Sequence, residues 1–236
     1  MKEVLQGMHV FLKALGFLGT VTLVLFPMVD TALAQACDRC IDAPGDHIRA
    51  YGRNIESGAL VDIPVRQEIV YYISTNTEKR AVVRYIVDIP TAILMNYTRE
   101  SRTDSSVSYR LTLTQYYEEL YEEGLRYIAV EEYAGEWESL DPQVTGIEGY
   151  LRAGVNGPVW GGGFLYQRQD SPHFTPGDWA VRTLVPSWAG IYVHVSDDFG
   201  FYQCGQIYVK LLRQPTGYTW EFWFNICKGE TWPGGW

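Results

Sequence analysis

Hydrophobic and polar residues alternate with a period of two over most of residues 61–226. Successive side chains of a strand point to opposite faces of a sheet, so this alternation indicates strands with one buried and one solvated face. In the runs at residues 83–89 and 107–113, for example, Arg84, Asp88 and Arg110 stand between apolar residues. One solvated face per strand is typical of antiparallel sheets.

The pattern predicts about ten strands, at residues 61–73, 83–89, 107–113, 125–133, 146–155, 159–169, 179–185, 191–196, 205–213 and 218–226. This number and spacing predict an all-β fold, an antiparallel β-sandwich or jelly-roll-like domain, with a barrel as the alternative closure. One short helix is expected at residues 115–123, with Thr114 as its N-cap and Gly124 as its stop. Its apolar side would carry Tyr117, Leu120 and Tyr121.

The last two strands predict a hairpin around a turn at residues 214–217. Folding the two runs back about Pro215 and Thr216 sets the apolar residues opposite one another on one face. The same register makes three pairs on the other face, Tyr208 with Trp223, Lys210 with Glu221 and Cys204 with Cys227. A register slipped by one residue would mix the two faces and lose burial along the strands.

All four cysteines lie beyond residue 36. Directly opposed residues in an antiparallel pair are close enough for a disulfide, so the hairpin register predicts a Cys204–Cys227 bond. By elimination Cys37 and Cys40 form the second bond. The alternatives for the Cys37-x-x-Cys40 pair are a redox motif and half of a zinc site.

Residues 1–36 have the order of a secretory signal peptide: positive residues, a short apolar run from Ala14 to Phe26, then small residues. Cleavage is expected near Ala34 or Ala36. The apolar run is shorter than the roughly 20 residues that a spanning helix needs. Two alternatives remain open, lipidation of Cys37 and a retained anchor helix.

The chain is therefore expected to be secreted, periplasmic or displayed at the cell surface, and not to be an integral membrane protein. Its expected organisation is an irregular, disulfide-bearing segment at residues 37–60, a β domain at 61–228 and an aromatic tail at 229–236. The net charge is −9, and removal of residues 1–36 leaves it unchanged. A protein that binds nucleic acid needs a basic footprint, so this class of partner is excluded.

One candidate for catalysis lies near the end of the 191–196 strand, where His194 precedes Asp197 and Asp198. A histidine beside two carboxylates could move a proton or bind a metal, as in a secreted hydrolase or a metal-dependent enzyme. A strand end followed by solvated aspartates explains the same residues without chemistry. No motif in the chain predicts a cofactor or a resident metal.

Aromatic residues are the compositional excess, with 17 Tyr and 8 Trp. Most must fill the core, but Tyr208 and Trp223 fall on the hairpin face opposite its apolar side, and Trp232 and Trp236 lie in the tail. Exposed aromatic residues on a sheet commonly bind sugars or proteins. The sequence thus favours binding or assembly over catalysis, with a carbohydrate or a protein as partner, and it is compatible with a homo-oligomer. A small outer-membrane barrel is a further alternative.

Overall fold

The computed structural model describes residues 46–75, 78–95 and 106–229, all of them within one unit, residues 42–236. In this part of the chain there are twelve strands, β1 Asp46–Asn54, β2 Leu60–Ile63, β3 Val65–Ser74, β4 Glu78–Pro90, β5 Val107–Glu122, β6 Leu125–Ser139, β7 Val144–Pro158, β8 Phe164–Asp170, β9 Trp179–Leu184, β10 Val193–His194, β11 Tyr202–Arg213 and β12 Thr219–Gly229. A single helical turn, α1 Thr91–Leu94, follows β4. A 3₁₀ turn, Asp197–Phe199, follows β10.

The strands form two antiparallel sheets. Sheet A has the order β2-β1-β12-β11-β7-β8, and sheet B has the order β10-β6-β5-β4-β3, with β9 also paired to β6. The inner faces of the two sheets share one apolar core, which includes Trp137, Tyr133 and Phe224. The predicted all-β class and the sandwich architecture are therefore confirmed.

The hairpin of β11 and β12 has the predicted register, including the pairs Cys204 with Cys227 and Tyr208 with Trp223. The disulfide Cys204–Cys227 is present, with its Cα atoms 4.1 Å apart. The apolar residues of both strands face the core, where Ile207, Val209 and Leu211 lie opposite Phe224, Phe222 and Trp220.

The helix predicted at residues 115–123 is wrong, because residues 115–122 form the second half of strand β5 and Glu123 lies in the turn that follows. They pair with β4 on one side and with β6 on the other. Double pairing and the burial of Gln115, Tyr117 and Glu119 on the inner side outweigh the local helix propensity of the glutamates. The expected stop residue Gly124 instead forms a two-residue hairpin turn with Glu123, and both have positive φ.

The segment expected to be irregular, residues 37–60, contains strand β1, which pairs with β12 and β2. The single run predicted at residues 61–73 is divided at Pro64 into β2 of sheet A and β3 of sheet B. Proline supplies no backbone N–H to a ladder, which suits a point where the chain leaves one sheet for the other.

The predicted signal peptide, Cys37, Cys40, Trp232 and Trp236 lie outside the described residues, so these predictions stand as they were made. Among the residues that the structure describes, no helix has the length and apolar character needed to cross a membrane.

Candidate functional site

His194 lies in β10, where its side chain is largely buried. Its Nδ1 is 2.9 Å from the backbone oxygen of Arg126. A carbonyl oxygen only accepts, so Nδ1 carries the proton and donates it there. The imidazole packs against the rings of Tyr127 and Phe201, with centroids 5.5 and 5.7 Å away. These contacts fix the His194 side chain in position against its neighbours.

The two aspartates of the predicted cluster have other partners. Asp197 Oδ1 lies 3.2 Å from Nε2 of His47, a residue of β1. Asp198 lies in the 3₁₀ turn, and its backbone N–H donates to the hydroxyl of Ser196. In the described part of the chain, His194 makes no hydrogen bond or ion pair with either aspartate, and no group of three or more His, Cys, Asp or Glu side chains could hold a metal ion.

The predicted pair Tyr208 and Trp223 belongs to a longer row of aromatic residues on the outer face of sheet A. Tyr51 of β1 is directly opposite Trp223, and Tyr150 of β7 is directly opposite Tyr208. Tyr51, Trp223, Tyr208 and Tyr150 thus cross four adjacent strands, and we call them the aromatic row. Their ring centroids are separated by 5.3, 5.5 and 4.6 Å in that order.

Two of the three ring contacts in the aromatic row are stacked, and the third, between Trp223 and Tyr208, is tilted by 48°. The planes of Tyr51 and Trp223 differ by 21°, and those of Tyr208 and Tyr150 by 20°. Tyr51, Tyr208 and Tyr150 are buried by this packing, at 8%, 5% and 7% exposure, while Trp223 is half-buried. The row therefore leaves little of its three tyrosine side chains accessible, and the half-buried indole of Trp223 is its most exposed member.

Arginine side chains cover the rings from the sides. The guanidinium of Arg53 lies 5.3 Å from the ring centroid of Trp223, and that of Arg152 lies 5.0 Å from Tyr150. Arg49 is 5.5 Å from Tyr51. Cation–π contacts of this kind are attractive and hold the rings in place.

Two polar rows border the aromatic row on the same sheet. They follow from the strand register and consist of Arg53, Glu221, Lys210 and Glu148 on one side, and Arg49, Asn225, Gln206, Arg152 and Asp170 on the other. Charges of both signs are paired within them, as in the Arg152–Asp170 ion pair at 2.7 Å. The face thus has an aromatic centre between two polar rows, in one of which Gln206 and Asn225 are buried.

Hydrogen bonds position the row from within the protein. The indole N–H of Trp137, in the core, donates to the backbone oxygen of Tyr208 at 2.9 Å. The hydroxyl of Tyr208 donates to Glu221 Oε1 at 3.1 Å. Burial, the charge of Glu221 and this hydrogen bond together raise the pKa of Tyr208, so its hydroxyl remains a neutral donor in the physiological range.

His173 extends the row beyond Tyr150. Its ring stacks on that of Tyr150 with centroids 4.7 Å apart and planes 21° apart. Its Nδ1 lies 2.8 Å from Oε1 of Glu148. The side chain is 55% exposed, so it forms an accessible end of the aromatic row.

Sequence reasoning missed Tyr51, Tyr150 and His173. A signal for two of them was present: Tyr51 alternates with Arg49 and Arg53, and Tyr150 alternates with Glu148 and Arg152. An aromatic residue between charged residues of the same strand face is expected to point away from the core. That pattern shows the outward direction of each ring, but it does not show that strands distant in sequence bring them together.

No family model, curated protein or solved structure matches this chain.

Proposed function

We propose that this protein is an exported domain that binds another protein through the outer face of sheet A. Support for export comes from the order of charged, apolar and small residues in positions 1–36. The observation that carries the binding proposal is the aromatic row between its two polar rows.

The composition of this face is that of a protein interface. Tyr, Trp and Arg are the residues most enriched among those that dominate binding energy, and they concentrate at the centre of an interface with polar groups around them. The packed rings are also held rigid before binding, so little side-chain entropy would be lost on association.

The same geometry favours a protein over a carbohydrate. A sugar ring binds by stacking on an open aromatic face. The faces of Tyr208 and Tyr150 are packed against each other, and Trp223 has Tyr51 and Arg53 against it. The accessible groups are the half-buried indole of Trp223 and the guanidinium groups of Arg49 and Arg53, which suit hydrogen bonds and ion pairs across a protein interface.

The enzyme interpretation has less support. It requires His194 to converge with Asp197 or Asp198 beside an open surface. His194 is instead largely buried and donates to the backbone of Arg126, while Asp197 contacts His47.

A photo-crosslinking residue placed at Arg49, whose side chain is 68% exposed, tests the proposal in the native extracytoplasmic environment. We expect a discrete protein adduct, which Arg53→Glu abolishes because it reverses the charge beside Trp223. The matched control is the same probe at Arg182, an exposed arginine on β9 of sheet B, which should give no such adduct. An identical adduct from both positions, or no adduct together with binding to a glycan panel, would contradict a protein partner at this face.

A further inference from the structure

Strand β3 is the outermost strand of sheet B, paired with β4 on one side only in the described part of the chain. Residues 69–73 of this strand, Ile-Val-Tyr-Tyr-Ile, are all large and apolar, and we call them the apolar edge segment. Each exposes between 39% and 53% of its surface. The free side of such a strand offers unpaired backbone N–H and C=O groups to another strand.

A bulge makes the apolar edge segment apolar on both faces of the sheet. The pairing with β4 shifts between Ile69 and Tyr71, so Val70 is the extra residue. Ile69 and Tyr72 consequently both lie on the inner side, while Tyr71 and Ile73 lie on the outer side, opposite Val82 and Arg80.

The other sheet edges carry protection that this segment lacks. Exposed edge strands are normally guarded by charged residues or are very short. β8 carries Arg168 and Asp170, β9 carries Arg182, and β2 has only four residues. The nearest charge before the apolar edge segment is Glu68, and residues 69–75 carry none.

We propose that the apolar edge segment pairs with the same segment of a second copy of this chain, antiparallel and about a two-fold axis at Tyr71. The bulge residue Val70 is skipped in each copy, and opposed residues share a face, so the register with Tyr71 opposite Tyr71 sets Ile69 opposite Tyr72 of the second copy. On the inner face Ile69 then meets Tyr72, on the outer face Tyr71 meets Tyr71, and sheet B continues from one copy into the other.

This register opposes no two like charges, but it does place one apolar residue against a charged one. It places Ile73 of the second copy opposite Glu68, on the outer face. Within its own copy, Glu68 lies 3.8 Å from Arg84. In the second copy, Arg80 is the β4 residue opposite Ile73, so it lies one strand beyond the residue that faces Glu68. No like charges become opposed, and the two-fold symmetry repeats the arrangement. The closed dimer leaves neither copy's β3 edge unpaired, so association through this edge stops at two copies.

This interface is separate from the aromatic row, which lies on sheet A, and the inference does not depend on the proposed function. Sedimentation equilibrium of the purified full chain, after any processing by its host, should show a concentration-dependent mass rising to two copies. Tyr71→Lys and Tyr71→Glu each place like charges opposite at the axis, and each should raise the dissociation constant at least about tenfold.

Mixing the two variants should restore a dimer, because lysine then faces glutamate. Val181→Lys provides the matched control, since Val181 lies on the edge strand β9 with 41% exposure, and it should dimerise like the wild type. A wild type that stays monomeric would overturn the proposal, as would a dimer that Tyr71→Lys leaves intact.

Amide hydrogen exchange of residues 69–73 distinguishes pairing between two copies from coverage of this edge by another part of the same chain. Protection that increases with protein concentration supports pairing between copies. Protection that is the same at every concentration in a monomer would mean that another part of the chain covers β3, and it would also overturn the proposal.

Discussion

Lys228 Nζ lies 2.6 Å from Asp46 Oδ2 in the interior of the sandwich, where the side chains expose only 3% and 5%. The other oxygen of Asp46 accepts a hydrogen bond from Arg126 at 2.9 Å. Asp46 and Lys228 belong to sheet A and Arg126 to sheet B, so one carboxylate joins the two sheets. Burial disfavours the charge of Lys228, but Tyr85, Tyr117 and Asp46 raise its pKa, which keeps the amine protonated.

Asp46→Asn should therefore destabilise the protein strongly. It leaves Lys228 and Arg126 buried with one anion fewer, and removal of one partner from a buried pair costs about 3–5 kcal/mol. Urea denaturation at neutral pH measures the free energy of unfolding. Asp62→Asn is the control, because Asp62 is 74% exposed and pairs with the exposed Arg49; its effect should stay below about 1 kcal/mol. Equal losses in both variants would contradict the account.

Gly205→Ala should destabilise the core by about 1–3 kcal/mol. A Cβ at this position would lie 2.2 Å from a ring carbon of Tyr133, which is fully buried and cannot move aside. Since the clash involves that ring, the cost should largely disappear in a Tyr133→Leu background. A double-mutant cycle of unfolding free energies tests this coupling, and additive effects would show that the close approach to Tyr133 is not the cause.

Replacement of both Cys204 and Cys227 by alanine should lower the free energy of unfolding by about 2–4 kcal/mol, because the unfolded chain loses its crosslink. The hairpin should keep its register, which the apolar pairs and the Lys210–Glu221 pair also specify. Denaturation with and without reductant measures the effect. Any further effect of reductant on the double variant would report the bond predicted between Cys37 and Cys40. An unchanged stability in the double variant would contradict a structural role for the bond.

Asp170 should contribute a pH-dependent part of the stability. Partial burial opposes its charge, but hydrogen bonds from Arg152 and Arg168 outweigh this and lower the pKa of Asp170 to about 2. The unfolded carboxyl has a pKa near 3.9, so the contribution is present above about pH 4 and is lost as the pH falls toward 2. Because 32% of the Asp170 side chain is exposed and solvent screens its ion pairs, we expect less than about 1 kcal/mol.

Unfolding measured from pH 6 to pH 2 checks the sign of this effect. Asp170→Asn should be less stable than the wild type at pH 6, and the difference between them should shrink between pH 4 and pH 2. A difference that grows as the pH falls, or stays constant, would contradict the lowered pKa.

Local patterns were sufficient where strands adjacent in sequence pair with each other. The register of β11 and β12, with Cys204 opposite Cys227 and Tyr208 opposite Trp223, followed from alternation on both sides of one short turn. A slip by one residue would have mixed the faces, so burial left one register. The same reasoning failed at residues 115–123, because spacing that suits a helix also occurs in a strand when both of its edges are paired.

The sequence by itself determined the all-β class, most of the strands and the outward direction of Tyr208 and Trp223, because a period of two requires only neighbouring residues. The tertiary structure alone decided that Tyr51 and Tyr150 complete the aromatic row, and that His194 is packed away from Asp197. Those outcomes depend on which distant strands become neighbours in a sheet. That choice is made by burial summed over the whole core, and no local pattern contains it.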